Sequence, residues 1–108
     1  MNTNSILISI KKLLGLSEED KSFDPEIITH INSVLSILNQ LGIGPDEGFA
    51  IEDEKDEWTD FIPDDPKLNL VKTYVHMKVR LMFDPPANSQ HMDAIKSNIS
   101  EIEWRITN

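Results

Sequence analysis

Ten carboxylates (Asp46, Glu47, Glu52, Asp53, Glu54, Asp56, Glu57, Asp60, Asp64 and Asp65) fall within the single stretch Pro45–Pro66, where Lys55 is the one opposing cation. The stretch therefore sums to −9, while residues 1–44 sum to −2 and residues 67–108 to +2, which together give the chain its net charge of −9. Massed carboxylates can chelate a cation, move protons, repel phosphate or meet a basic partner. Chelation of calcium needs oxygens at alternating positions and a glycine at the sharp turn. Asp53-x-Lys55-x-Glu57 instead sets a cation where a ligand is required. Acid–base catalysis needs carboxyl groups tuned by burial or by close neighbours, and a polar acidic run supplies neither. These residues are expected to form a solvated or partner-facing connector.

Other chemistry-bearing residues are sparse. His30, His76 and His91 lie in three separate segments, and none has a second ligand at a metal-binding spacing. No serine has an evident base beside it, and with no cysteine in the chain thiolate chemistry and disulfides are excluded. The glycine-rich run Gly42-Ile43-Gly44-Pro45-Asp46-Glu47-Gly48 follows a helical pattern rather than a strand, and its acidic residues would repel a phosphate. Lys72, His76 and Arg80 recur at i, i+4, i+8 and form a basic strip on one helix face. Such a strip is either a solvated face or a contact for the acidic connector, in the same chain or in a neighbouring copy. No catalytic, cofactor-binding or metal-binding residue is assigned.

These groups must be carried by helices. Asn4–Leu14 places Ile6, Ile10, Leu13 and Leu14 on one face, with Asn4 or Ser5 as cap and Gly15 as stop. Asp24 is the expected N-cap of the next helix, with Pro25 at its first position. Ile27, Ile31, Val34, Leu38 and Leu41 form its apolar stripe, and Gly42 follows its end. Thr29, His30, Asn32, Ser33, Ser36 and Asn39 give it an uncharged polar face, suited to close contact with another chain. Pro66–Phe83 has an apolar arc so broad that it is expected at the centre of the fold, with Leu70, Tyr74, Met77 and Leu81 as its main stripe. Asp84-Pro85-Pro86 ends it. The last helix starts near Asn88 or Ser89, and Met92, Ile95, Ile99, Ile102 and Ile106 line its inner face. Trp104 flanks that stripe and is expected to close the core, with partner anchoring as the other reading. In the connector, Phe49 and Ile51 suit a short strand, and Trp58, Phe61 and Ile62 suit an anchored helical turn.

At 108 residues the chain is expected to form one domain, residues 1–108. The expected architecture is all-α: three main helices, a short N-terminal helix and an irregular acidic connector over residues 45–66. Ile6–Leu16 is too short and too charged to cross a bilayer, and no targeting segment or membrane association is expected. The acidity argues against sequence-specific nucleic-acid binding, which requires a basic face.

Several segments resemble the head–tail connector proteins of tailed phages and prophages. They are Leu41-Gly42-Ile43-Gly44-Pro45, Trp58-x-x-Phe61 in its acidic setting, Val71-Lys72-Thr73-Tyr74-Val75-x-Met77-Lys78-Val79-Arg80-Leu81-x-Phe83-Asp84-Pro85-Pro86, and Ile102-Glu103-Trp104-Arg105. The resemblance covers most of residues 4–106. It implies a helical virion protein, made in the bacterial cytoplasm, that assembles as a ring of about a dozen copies beneath the portal protein. Such a ring extends the DNA channel and docks the next connector, stopper or tail component, with no enzyme activity and no cofactor. DNA would pass through it without sequence-specific contact. On this reading the candidate subunit and partner contacts are Asp53, Asp56, Glu57, Trp58, Phe61, Lys72, His76, Arg80, Trp104 and Arg105. A different class, an acidic protein that imitates DNA to bind and inhibit another protein, predicts carboxylates spread over the surface at phosphate-like spacing rather than gathered in one connector.

Overall fold

The computed structural model describes residues 4–62 and 66–107; the carboxylates of Asp64 and Asp65 lie outside the described residues. Five helices follow in order: α1 (Ile6–Leu13), α2 (Asp24–Gln40), α3 (Trp58–Phe61), α4 (Leu68–Phe83) and α5 (Ser89–Thr107). Among the described residues no β-strand forms, so the fold is an all-α bundle. Phe49 and Ile51 do not make the expected strand, and among the described residues the one β-type pairing is an isolated antiparallel bridge between Ser5 and Glu57.

Local chemistry sets the helix ends. Ser5 caps α1, its hydroxyl accepting from the Ile8 amide at 3.3 Å. Asn88 caps α5, its side-chain Oδ1 accepting from the amides of Gln90 at 2.8 Å and His91 at 3.1 Å. α2 departs from expectation by one residue. Asp24 is already helical, Phe23 stands at the N-cap, and no side chain caps that end. The Asp24 carboxylate is drawn away to Lys11 Nζ, 2.9 Å distant.

α4 is the central helix, packing on α2, α5 and α1. Its most buried line is Val71, Tyr74, Val75 and Val79, while Leu70, Met77 and Leu81 are half-buried beside it. The expected stripe is thus rotated. The compact β-branched valines allow close approach of neighbouring helices, and the longer side chains cover the seam. α1 buries Ile6, Leu7 and Ile10. α2 buries Ile27, Ile31, Val34, Leu35 and Leu38, and α5 buries Ile95, Ile99, Ile102 and Ile106. All join one core. No helix among the described residues is long and apolar enough to cross a membrane.

Candidate functional site

Over residues 45–62 the acidic connector is an ordered strap, fastened from beneath by neutral and aromatic side chains. Asn39 Nδ2 donates to the Pro45 carbonyl at 2.7 Å. Asn32 makes a reciprocal pair with Ile51, donating to its carbonyl at 3.0 Å and accepting from its amide at 2.7 Å. Part of the uncharged face of α2 is therefore spent within the chain. Beyond Ile51, Asp56 Oδ2 accepts from the amides of Glu52 at 2.7 Å and Asp53 at 3.2 Å, and Asp53 Oδ1 accepts from the Lys55 amide at 2.8 Å. These carboxylates tie the turn instead of gathering around a cation. Among the described residues no group of acidic or histidine side chains could hold a metal ion.

The strap then docks on α1. The Ile6 amide donates to the Asp56 carbonyl at 3.1 Å and the Trp58 amide to the Asn4 carbonyl at 2.9 Å, on either side of the Ser5–Glu57 bridge. Asp60 Oδ2 accepts from the Glu57 amide at 3.1 Å and starts the single turn of α3. Trp58 and Phe61 were candidates for contact with a partner, but both are buried in the chain's own core. The Trp58 indole N–H donates to Ser9 Oγ at 2.8 Å, and Phe61 packs against Phe49 with ring centroids 5.4 Å apart. Their apolar area is what secures an otherwise hydrophilic segment. Outward, Asp46, Glu47, Glu52, Asp53, Glu54 and Asp60 are exposed. Among the described residues, the ion pair along this ridge is Lys21 Nζ–Glu54 Oε1 at 3.1 Å, which raises the Lys21 pKa.

The strip Lys72–His76–Arg80 faces inward along α1 and α3. Lys72 Nζ lies 5.7 Å from the centroid of the Trp58 ring, so it meets the connector through an aromatic face rather than a carboxylate. His76 is half-buried. Burial, then the guanidinium of Arg80 one turn on, lowers its pKa, with the Leu13 carbonyl acting in the opposite sense. Its Nε2 is buried without a hydrogen-bond partner among the described residues. Arg80 borders an open cavity shared with Leu13, Leu14, Gly15 and Asp84.

The other candidates lie on α5. Trp104 does not close the core: it is 67% exposed, because its position falls off the Ile99–Ile102–Ile106 line. Arg105 is exposed and bonds Glu101 Oε1 at 3.0 Å, one turn back. Glu103 faces α4 and accepts from the Tyr74 hydroxyl at 2.9 Å, with Lys78 Nζ 3.8 Å away. Burial and that carboxylate push the Tyr74 pKa upward.

Lys11 carries a role the sequence did not advertise. Its side chain is 2% exposed, and Nζ donates to the carbonyls of Glu18 at 3.2 Å and Asp20 at 2.7 Å while pairing with Asp24 Oδ1. That oxygen takes no well-aligned hydrogen bond, so the pairing is Coulombic. The ammonium gathers the α1–α2 linker around itself and fixes α1, and with α1 the docking edge of the strap.

No curated protein and no solved structure matches the chain. The model of one protein family, described as phage connector protein, matches residues 6–108, nearly the whole chain and every helix just described, and the chain belongs to that family.

Proposed function

We propose that this chain joins phage head to tail as one subunit of a ring beneath the portal, extending the DNA channel and docking the next connector or tail component. The observation that carries the reading is the fastened strap. Asn32, Asn39, Trp58 and Phe61 hold residues 45–62, where eight carboxylates against Lys55 give a net charge of −7, against the bundle, so the exposed carboxylates among them occupy fixed positions. Carboxylates held at a rim repel phosphates, and a duplex can slide past without adhering. Membership of the connector family supports a structural rather than an enzymatic role and a place in the virion. The test is deletion of the gene from its phage. The expected result is filled heads without attached tails, restored when the chain is supplied from a plasmid. Normal yields of infectious, tailed particles from the deletion would refute the proposal.

A further inference from the structure

We infer that α5 is a hinged arm, which opens from α4 about the Asp84–Asn88 turn while the rest of the subunit stays folded. The inference concerns the single subunit and is independent of the ring reading. Among the described helices α5 packs on α4 and has no other substantial neighbour. The other main elements are tied in more than one direction. α2 packs on α1 and α4 and holds the strap through Asn32 and Asn39. α1 is held by Lys11 to the linker that follows it, and by the Ile6 amide and the Asn4 carbonyl to the strap. What closes α5 is one line of isoleucines, Ile95, Ile99, Ile102 and Ile106, with polar contacts that all lead to α4 or its start. Glu103 accepts from the Tyr74 hydroxyl at 2.9 Å and stands 3.8 Å from Lys78 Nζ, and Lys67 Nζ donates to the Ile106 carbonyl at 3.1 Å. Trp104, the largest side chain of α5, is 67% exposed and adds little buried area.

The turn is built as a joint. Asp84, Pro85, Ala87 and Asn88 are exposed. The Asp84 amide donates back into α4, to the Arg80 carbonyl at 2.8 Å. Asn88 faces forward into α5, its backbone carbonyl accepting from the Met92 amide at 3.0 Å and its Oδ1 from the amides of Gln90 and His91. These bonds close each on its own helix, so rotation about the turn breaks none of them. Pro85 and Pro86 have no amide hydrogen to tie the two helices together. α4 also keeps its other packing when the arm opens. Val75 and Val79 lie about 100° and about 140° round α4 from Tyr74, turned off the α5 contact. Opening bares Tyr74 and the isoleucine line, and water replaces the hydrogen bond that Tyr74 and Glu103 lose. An element held by one neighbour and one line of buried side chains opens at lower free energy than the whole domain.

Native-state hydrogen exchange of the intact chain tests the arm, read peptide by peptide by mass spectrometry in urea below the unfolding range. The amides of α5 should exchange as one unit, about tenfold or more faster than those at the centre of α2 once intrinsic rates are allowed for. Their opening should also depend less steeply on urea, because less surface is exposed. Trp58→Phe separates local from global opening. Trp58 lies against Ser9 of α1 and Lys72 of α4, and Lys72 is displaced by about 200° round α4 from Tyr74. The change therefore weakens the closed and the open subunit alike. It should speed exchange at the centre of α2 by about five- to thirtyfold and leave α5 unchanged. Equal protection of α5 and α2 in the natural chain, or exchange in α5 that rises with that of α2 in Trp58→Phe, would show that α5 opens only with the whole subunit and would overturn the inference.

Discussion

Gly42 and Gly44 offer a matched pair that tests how the strap begins. Both have positive φ, +87° and +90°, so alanine at either position meets the same backbone penalty, roughly 1–2 kcal/mol. Part of that is offset because alanine restricts the unfolded chain, by about 0.4–1 kcal/mol. The surroundings differ. A Cβ on Gly42 would meet nothing within 4 Å, whereas one on Gly44 would enter the ring of Phe61. Phe61 is buried and cannot swing away, being held by Phe49 and by the turn of α3. Overpacking of this kind costs typically 1–3 kcal/mol more. Gly42→Ala should therefore lose about 1 kcal/mol and Gly44→Ala about 3 kcal/mol. For a domain of this size those losses correspond to melting-point drops of about 5 °C and about 15 °C.

Urea and thermal unfolding followed by circular dichroism measure both losses. The double variant Gly44→Ala/Phe61→Leu should be more stable than the sum of its single changes by about 1 kcal/mol or more, since the smaller side chain makes room for the methyl. Equal losses at Gly42 and Gly44, or additive behaviour with Phe61→Leu, would mean that the strap does not seat against Phe61 and that its anchoring has been misread.

Three further outcomes follow from the same geometry. Lys11→Met keeps the buried stem but leaves Asp24 and two carbonyls without their cation, and stability should fall by about 3 kcal/mol in urea unfolding, with part of the loss recovered by adding Asp24→Asn. Trp58→Phe keeps most of the apolar area but removes the hydrogen bond to Ser9, so it should cost about 1–2 kcal/mol; the near-ultraviolet signal of the remaining tryptophan should be unchanged. For His76 the lowered pKa fixes the sign: the unfolded chain takes up the proton more readily, so the contribution of this residue is complete above the ordinary histidine value of about 6.5 and is lost as pH falls below it. Unfolding curves measured from neutral pH downward should show that loss, and His76→Gln should flatten it.

The sequence was most legible where local chemistry decides the outcome. Pro25 and the Gly42 turn bracket α2, Ser5 and Asn88 cap α1 and α5, and the isoleucines of α5 mark its inner face without ambiguity. It was least legible where the deciding partner is remote. Asn32 and Asn39 read as part of a free polar face because nothing in the helix reveals a backbone segment folded back onto them, and Ile51 lies 19 positions from Asn32. Lys11 read as an interruption of an apolar run. Its burial depends on carbonyls of a linker whose course no periodicity encodes. Trp104 was expected to close the core because large aromatics usually do. The isoleucine line already fills that seam and leaves the indole outside. The candidate contacts divide accordingly: Trp58 and Phe61 hold the site in place, while Asp53, Trp104 and Arg105 remain on its surface.

Order in so acidic a segment needs an energetic reason. Two carboxylates in water at close range repel by about 1 kcal/mol, and salt at physiological strength screens them beyond about 8 Å. The repulsion along the exposed ridge is therefore a few kcal/mol at most, spread over residues that can lean apart. Against it stand the buried side chains of Ile51, Trp58 and Phe61, each contributing about 1.5–3 kcal/mol. The paired hydrogen bonds of Asn32 and the single one of Asn39 add to them. The anchors outweigh the charge. A disordered acidic tail would carry the same charge with no geometry. Fastening it to α1 and α2 turns that charge into a shaped edge, which is what a neighbouring subunit or a passing duplex can meet at the same place in every copy.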